Sequence, residues 1–147
     1  MVNTIDYYVN GEKLYNRMMA SVCERHDLTF MELTVLMFLA NNPQYDTATE
    51  IVTYRHIAKS HVSISVRSLQ ERGLLHGEYR ESNRRTVHLK INDSAAQIIE
   101  DGRTVQQAFR DVITDGFSQE EKQKLIEFAE RIDDNVKKYS VTKTKEI

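Results

Sequence analysis

The sequence is poor in helix breakers and in cysteine. It has one proline, five glycines and one cysteine in 147 residues. Few breakers favour a helix-rich fold, and a lone Cys23 excludes an internal disulfide framework and fits a reducing compartment. No apolar run reaches the roughly 18 residues of a membrane span. The first residues lack the basic-then-apolar pattern of a signal peptide. We therefore expect a cytoplasmic globular protein with one sizeable core.

The sequence also lacks the short motifs that mark enzymes and metal sites. It contains no glycine-rich phosphate loop, no H-E-x-x-H and no G-x-S-x-G. Cys23 and His26 stand three positions apart, but no close cluster supplies further ligands, so we predict no zinc site and no cofactor. A redox role for Cys23 would need a lowered thiol pKa, which the adjacent Glu24 opposes. A buried, structural cysteine is the stronger interpretation, and we do not expect an enzyme.

Charge is spread unevenly along the chain, although the net charge is only −2. Residues 55–90 carry 8 basic and 3 acidic side chains and four of the five histidines, whereas the segments on either side are net acidic. A basic segment of this kind is the charge pattern expected of a protein that binds a polyanion. A solvated face that happens to be basic is the alternative, and charge alone does not decide between the two.

Capping boxes divide the chain into helices. A Ser or Thr followed three residues later by Glu satisfies two free backbone N–H groups at a helix start. This pair occurs at Thr29 with Glu32, at Thr47 with Glu50, and at Ser118 with Glu121. The first helix so marked has an apolar stripe formed by Leu33, Leu36, Met37, Leu39 and Ala40. The last has one apolar face, formed by Leu125, Phe128, Ala129, Ile132, Val136 and Tyr139.

Two further helices are predicted from weaker signals. Asn92 and Asp93 are candidate caps for a helix over residues 94–113, and Gly116 suits the left-handed residue that follows a helix end. In the N-terminal segment, Asn10-Gly11 could delay the helix start. The apolar stripe of that segment consists of Tyr8, Tyr15, Met18, Met19 and Val22. The predicted order is helix, helix, short helix, helix, hairpin, helix, helix.

Residues 74–93 predict a β-hairpin. The second half alternates strictly, which is typical of a half-buried strand. Its two sides are Val87, Leu89 and Ile91 against Thr86, His88 and Lys90. The first half, L-L-H-G-E-Y-R, alternates weakly, so the tip of the hairpin is predicted at residues 81–84.

Residues 47–73 have the spacing of a helix, a tight turn and a second helix, which together with the hairpin make a winged helix-turn-helix. In the second helix, near residues 60–72, Val62, Val66 and Leu69 share one face at 100° per residue and should pack inward. The opposite side is short, hydroxyl-bearing and cationic. It consists of Ser60, Ile64, Arg67, Ser68 and Glu71, with His61 and Ser63 on the flanks.

Such a helix face suits the major groove of DNA. Arg67 can reach guanine O6 and N7, and Ser60 and Ser63 can bond phosphates or base edges. Ile64 can touch a thymine methyl group, although a single exposed aliphatic side chain is also ordinary. Arg84 and Arg85, at the tip of the hairpin, suit the adjacent narrow minor groove. The remaining cations are interpreted as phosphate contacts or solvated charges; these are Lys59, Arg80, His88 and Lys90.

Over residues 28–139 the sequence resembles the MarR family of bacterial transcription regulators. L-T-F-M-E-L-T-V-L-M-F-L-A-N-N is similar to the family's second helix, and H-V-S-I-S-V-R-S-L-Q-E-R-G-L-L to its recognition helix. N-R-R-T-V-H-L-K-I-N-D is similar to the family's wing motif. The resemblance implies that Arg85 is the wing arginine. It also implies that Ser60, His61, Ser63 and Ile64 face the groove.

The resemblance further implies a homodimer on a pseudo-palindromic operator. The whole chain, 1–147, would form one MarR-like domain, with residues 28–92 as the DNA-binding module and residues 1–27 and 93–147 as dimerisation helices. Four positions depart from the family pattern. Asn83 replaces the aspartate that would orient Arg85, and Ala58 stands where a capping side chain is common. Arg55 and His56 occupy positions more often filled by leucine and a turn glycine. These departures concern the turn and the wing rather than the fold.

Many members of this family release DNA when a small, often phenolic, molecule binds between the dimerisation helices and the DNA-binding module. By analogy, the pocket here would involve Tyr15, Met18, Met19, Met37 or Phe38. Methionine and aromatic residues at helical spacing are also the ordinary content of a core. The predicted function is a DNA-binding transcription regulator, more often a repressor in this family. The alternatives are a protein–protein docking module and an architectural DNA binder without an effector.

Overall fold

The computed structural model describes residues 3–142, and the chain divides into two compact units, one ending at Phe109 and the other beginning at Arg110. The elements are α1 (Thr4–His26), α2 (Phe30–Asn41), α3 (Ala48–Arg55), α4 (Lys59–Glu71), β1 (Leu75–Arg80), β2 (Asn83–Ile91), α5 (Ala96–Ile113) and α6 (Gln119–Thr142). A single 3-10 turn, Asp93–Ala95, precedes α5. This mainly helical order with one small hairpin confirms the predicted fold class.

All three predicted capping boxes are formed. The Thr29 hydroxyl accepts from the Glu32 backbone N at 3.1 Å, and the Glu32 carboxylate accepts from the Thr29 backbone N at 2.7 Å. The same reciprocal pairs start α3 and α6. Each cap contributes about 1 kcal/mol to the stability of its helix.

Two local predictions were wrong. The helix α1 runs without a break through Asn10-Gly11, so this pair does not delay its start. Asn92 does not cap the next helix with its side chain. Its amide instead donates to the Gly73 carbonyl oxygen at 2.8 Å, and its side-chain oxygen bonds the His76 ring. Asn92 therefore joins the end of β2 to the start of β1.

The helix α2 forms the centre of the first unit. It packs against α1, α4 and β2, and it is buried on nearly all sides because these elements surround it. The predicted stripe lies in this core, but Val35 and Phe38 outside the stripe are buried as well. The neighbours supply Met19 and Val22 from α1. A rigid central helix of this kind fixes the position of α4.

The hairpin is tighter than predicted. Its turn is Glu81-Ser82, and Arg80 pairs with Asn83, so Asn83 and Arg84 belong to β2 rather than to the tip. The next pair is Tyr79 with Val87, which leaves residues 84–86 as a bulge in β2. Bulges increase the twist of a strand and re-aim its side chains.

The predicted division of β2 into a buried and an exposed side was wrong at two positions. Leu89 is buried, as expected, but Val87 on the same side is 37% exposed. His88, predicted to be solvated or to contact phosphate, is buried with 8% of its surface exposed. The alternation pattern missed this because the partner of His88 lies 42 residues away in sequence.

The second unit begins in the last turn of α5 and contains α6. Gly116 follows α5 with φ +79°, as its position after the helix end predicted. The predicted apolar face of α6 is exposed in the single chain: Leu125, Phe128, Ile132, Val136 and Tyr139 each show 36–65% of their surface. In the part of the chain that is described, no helix is long and apolar enough to cross a membrane.

Candidate nucleic-acid interface

The helix α4 is fixed by its apolar side. Val62, Val66 and Leu69 are buried, as their 100° spacing predicted, and they face α2 and α3. Ser65 is buried with them. The opposite side of the helix is therefore held towards solvent by packing rather than by its own polar groups.

Every DNA-contact residue predicted on α4 is exposed. This set is Lys59, Ser60, His61, Ser63, Ile64 and Arg67. Ile64 is 66% exposed, which makes it the one large aliphatic side chain on this surface. The structure thus brings hydroxyl, imidazole, guanidinium and aliphatic groups onto one continuous helical face.

Ser68 was predicted to point outward and does not. It is half-buried, and its hydroxyl donates to the buried Glu32 carboxylate. Burial would raise the pKa of Glu32, but the hydrogen bonds from Ser68 and Thr29 and the nearby Arg72 charge outweigh burial, so this pKa lies below its usual value. Arg72 also donates to the Asp27 backbone oxygen at 2.7 Å. The end of α4 is thus fastened to the α1–α2 junction.

The turn between α3 and α4 carries two of the departures from the family pattern. His56 adopts φ +52°, the left-handed conformation for which glycine is the usual residue. Ala58 occupies the N-cap of α4 and provides no side-chain cap. Backbone N–H groups at the start of α4 therefore stay available to an acceptor such as a phosphate oxygen.

Arg84 and Arg85 lie in the bulge beside the hairpin turn, and both are exposed. Asn83 organises the bulge: its side-chain oxygen accepts from the Arg85 backbone N at 3.0 Å, and its amide donates to the Thr86 hydroxyl. Asn83 therefore orients the Arg85 backbone with a neutral hydrogen bond, whereas the family's aspartate would orient the Arg85 side chain. Among the described residues, none pairs with the Arg85 guanidinium.

Asp46 was not predicted from sequence, and it holds the wing. Its carboxylate accepts from His88 Nδ1 at 2.6 Å, from Lys90 Nζ at 3.0 Å and from Arg80 Nη2 at 3.2 Å. Its backbone oxygen accepts from the Leu89 N–H at 2.6 Å. Burial would raise the pKa of Asp46, but the His88 and Lys90 hydrogen bonds outweigh burial and place this pKa below its usual value.

A cavity of about 90 Å³ lies in the first unit, beside α2. Four of the five residues predicted for an effector line it, namely Tyr15, Met19, Met37 and Phe38, and Met18 does not. Its polar groups include Arg55 from the end of α3 and a hydrogen-bonded series in which Asn41 donates to Gln106 and Gln106 donates to the Tyr15 hydroxyl. Sequence spacing could not identify Arg55 and Gln106, which come from distant elements.

Cys23 is half-buried, and burial together with the charges of Glu32 and Glu24 raises the pKa of its thiol. A raised pKa disfavours the reactive thiolate. Between residues 3 and 142, no three His, Cys, Asp or Glu side chains are grouped so as to hold a metal ion.

Both the sequence and the fold are similar to those of known proteins. A sequence model of the MarR family matches residues 26–85. A MarR family transcriptional regulator from Listeria monocytogenes, crystallised with a 26mer DNA, superposes with a TM-score of 0.80 at 15% identity, covering 92% of this chain and 90% of that one. No curated protein matches the sequence.

Two further solved structures share the fold. MepR of S. aureus, in complex with DNA, has a TM-score of 0.70 at 13% identity, covering 92% of this chain and 96% of that one. BpsR of Bordetella bronchiseptica, whose DNA binding is regulated by 6-hydroxynicotinic acid, has a TM-score of 0.65 at 14% identity, covering 89% and 99%.

Identities this low establish the fold and nothing finer. The family model, in contrast, matches the sequence itself from the end of α1 through α2, α3 and α4 into the bulge of the wing. That segment contains the helix-turn-helix and the wing arginines. The sequence of residues 26–85 is therefore similar to the MarR family, and most of the chain shares the fold of a solved MarR family regulator.

Proposed function

We propose that this protein is a sequence-specific, double-stranded-DNA-binding transcription regulator, acting as a repressor in the cytoplasm. The observation that carries the proposal is the exposed face of α4, where Ser60, Ser63, Ile64 and Arg67 stand clear of the core. Side chains of these types read base edges and phosphates in a major groove. The Listeria monocytogenes and S. aureus relatives were crystallised with DNA, which supports the same role here.

We infer that the functional form is a homodimer. The apolar face of α6 needs a covering surface, and the exposed Tyr7 and Tyr8 of α1 offer further apolar area. A second copy of the chain supplies a self-complementary surface. In this arrangement residues 1–27 and 93–147 dimerise, residues 28–92 bind DNA, and the two α4 helices enter major grooves about 34 Å apart on a pseudo-palindromic operator.

We propose that a small aromatic acid binds the cavity beside α2 and releases the DNA. Tyr15, Met19, Met37 and Phe38 provide the apolar wall, and Arg55 provides a charge that can pair with a carboxylate. A cavity of about 90 Å³ is smaller than the roughly 150 Å³ that accepts benzene. Binding therefore requires flexible methionine side chains to move. Arg55 is the last residue of α3. A movement of Arg55 on ligand binding would therefore displace the helix-turn-helix and lower the fraction of molecules in the DNA-binding state. The regulation of BpsR by 6-hydroxynicotinic acid supports this ligand class.

The two alternative functions, a protein docking module and an architectural DNA binder, predict different structural features. A docking module for another protein would present a set of large apolar anchors on α4, whereas Ile64 is the one large aliphatic residue on that side. An architectural DNA binder would need no cavity lined by a hydrogen-bonded polar series. The similarity of residues 26–85 to a family of transcription regulators favours a regulator over an enzyme, and we propose no catalytic activity.

Selection of duplexes from a random library by the purified full-length chain tests the proposal. We expect an enriched, pseudo-palindromic sequence. Arg67→Ala should relax the choice at one base pair in each half-site, at a cost of about 1–3 kcal/mol. The control is Arg17→Ala, which removes the same charge from an exposed position on α1. Enrichment of no sequence would contradict the proposal, and unchanged base choice in Arg67→Ala would remove Arg67 from the readout.

A further inference from the structure

Two cations of the basic segment, residues 55–90, form ion pairs within the protein. Of the segment's eight Lys and Arg side chains, two on the wing point to one acidic group, the Asp46 carboxylate. Lys90 Nζ lies 3.0 Å and Arg80 Nη2 lies 3.2 Å from the same Asp46 oxygen. The expectation for these two side chains was phosphate contact or solvation, and in the single chain both form ion pairs with Asp46.

Asp46 is itself fixed from two sides. Its backbone N–H donates to the Glu50 carboxylate of α3 at 2.9 Å, and Glu50 also accepts from the Thr47 N–H as part of the capping box. On the wing side, the buried His88 ring donates to the other carboxylate oxygen. Asp46 therefore connects the start of the helix-turn-helix to β2, and it cannot follow a departing cation.

The burial of Asp46 determines whether Arg80 and Lys90 stay with this carboxylate or move to a DNA phosphate. The Asp46 side chain is only 12% exposed, whereas those of Lys90 and Arg80 are 44% and 63% exposed. A buried carboxylate that loses a charged partner is left uncompensated, which is unfavourable. Transferring either cation to DNA therefore costs the protein a contact at Asp46, while Arg84 and Arg85 carry no such cost.

We propose that Asp46 is a positioning residue for DNA selectivity, because it keeps Arg80 and Lys90 on the protein and away from phosphates of non-operator DNA. The inference rests on the proposed function in DNA binding. Phosphate contacts carry no sequence information, and each one strengthens binding to every duplex. Withholding two cations therefore lowers the affinity for mixed-sequence DNA, and the same contacts hold the wing in place for the operator.

The test is a salt series by fluorescence anisotropy with the full-length chain. The probes are a mixed-sequence duplex and the duplex that the wild-type protein enriches from a random library. In Asp46→Asn, we expect the slope of log affinity against log salt on the mixed-sequence duplex to steepen by roughly 1–2, because each phosphate contact adds roughly 0.9. The ratio of the two affinities should fall by roughly tenfold.

Two further variants test whether a steeper salt slope comes from the release of Arg80 and Lys90. Glu81→Gln removes one negative charge from the exposed wing turn without releasing a cation, and its slope should equal that of the wild type. Arg80→Gln/Lys90→Gln in the Asp46→Asn background should return the slope to the wild-type value. A purely structural role for Asp46 would lower thermal stability and leave the slope unchanged.

The Arg80→Gln/Lys90→Gln double variant of the otherwise wild-type chain gives an independent answer if Asp46→Asn does not fold. Its slope should equal that of the wild type, since the two cations contact no phosphate. A slope flatter by about 1–2 would mean that both already bind DNA, and it would overturn the proposal. A wild-type chain with no salt-dependent binding to either duplex would instead overturn the proposed function itself.

Discussion

At the residue scale, Asp101 shows how a single carboxylate joins two helices. It lies on α5 and accepts from His26 Nε2 at 2.8 Å and from Arg25 at 2.9 Å, both at the end of α1. Gln97 donates to its second oxygen. These hydrogen bonds, with the one from His26 as the largest cause, lower the pKa of Asp101 to about 2. The contact stabilises the ionised form of the carboxyl group.

This lowered pKa sets a pH window for stability. Between the ordinary value of 3.8 and the folded value of about 2, the unfolded chain binds a proton that the folded chain does not. The contribution of Asp101 is therefore complete above about pH 5 and is lost as the pH falls towards 2. We expect the difference in free energy of unfolding between the wild type and Asp101→Asn to shrink over this range in urea titrations. A difference that is constant from pH 5 to pH 2 would contradict the assignment.

Arg85 gives a second prediction for a single residue. Its guanidinium is exposed beside the turn of the wing, where it could enter a narrow minor groove. Because such grooves occur in A·T-rich DNA, Arg85→Ala should weaken binding to operators with A·T flanks more than to those with G·C flanks. Anisotropy titrations with paired duplexes measure the difference. Equal losses would reduce Arg85 to a phosphate contact.

Local patterns were readable from the sequence at this scale, and distant partners were not. Because the two residues of a capping box stand three positions apart, Thr29 and Glu32 could be recognised from the sequence alone. Ser68 was misplaced because its acceptor lies 36 residues away, and a turning angle of 100° per residue puts it near the border of the buried face. His88 and Asp46 are likewise joined across 42 residues, a pairing that only the folded wing creates.

At the element scale, the close approach of α5 to α2 depends on one glycine. A Cβ atom at Gly102 would lie 2.4 Å from the Met37 sulfur and 3.0 Å from its terminal methyl carbon. Gly102 is buried, so the added atom has no route to solvent. The candidate caps at Asn92 and Asp93 and the stop at Gly116 predicted that α5 exists, but nothing in the sequence indicated that Gly102 faces Met37.

Two glycine substitutions test this packing. Gly102→Ala should destabilise the protein by up to about 2 kcal/mol, because the overpacking cost of about 1–3 kcal/mol exceeds the gain of up to about 1 kcal/mol in helix propensity. Gly11→Ala is the matched control in α1, where nothing lies within 4 Å of the added atom. It should stabilise by about 0.5–1 kcal/mol. Chemical denaturation of both variants measures the two effects, and a stabilising Gly102→Ala would refute the contact.

At the scale of the whole molecule, the proposed binding to two half-sites requires a second copy of the chain. The apolar face of α6 repeats over several turns and is exposed, which is the pattern of a helix that packs on a partner. The sequence indicated both the face and its need for a covering surface. Neither the sequence nor the fold of one chain specifies how two copies meet.

A charge on this face should separate the copies. Ile132→Asp should convert a dimer into a monomer in sedimentation experiments and weaken operator binding by roughly 100-fold, because two linked half-sites bind cooperatively. Glu130→Gln changes one charge on the opposite side of α6 and should leave both properties unchanged. A dimeric Ile132→Asp would place the interface elsewhere.

The most direct measurement is fluorescence anisotropy of the wild type and of Arg84→Ala/Arg85→Ala on the selected duplex and on scrambled DNA, across a salt series. We predict tight and sequence-selective binding by the wild type with a steep salt slope. In the double variant, we predict that selectivity is reduced and the slope is flatter, by an amount that corresponds to about two lost contacts. Weak binding by the wild type that ignores sequence would contradict the assignment of this winged helix to DNA recognition.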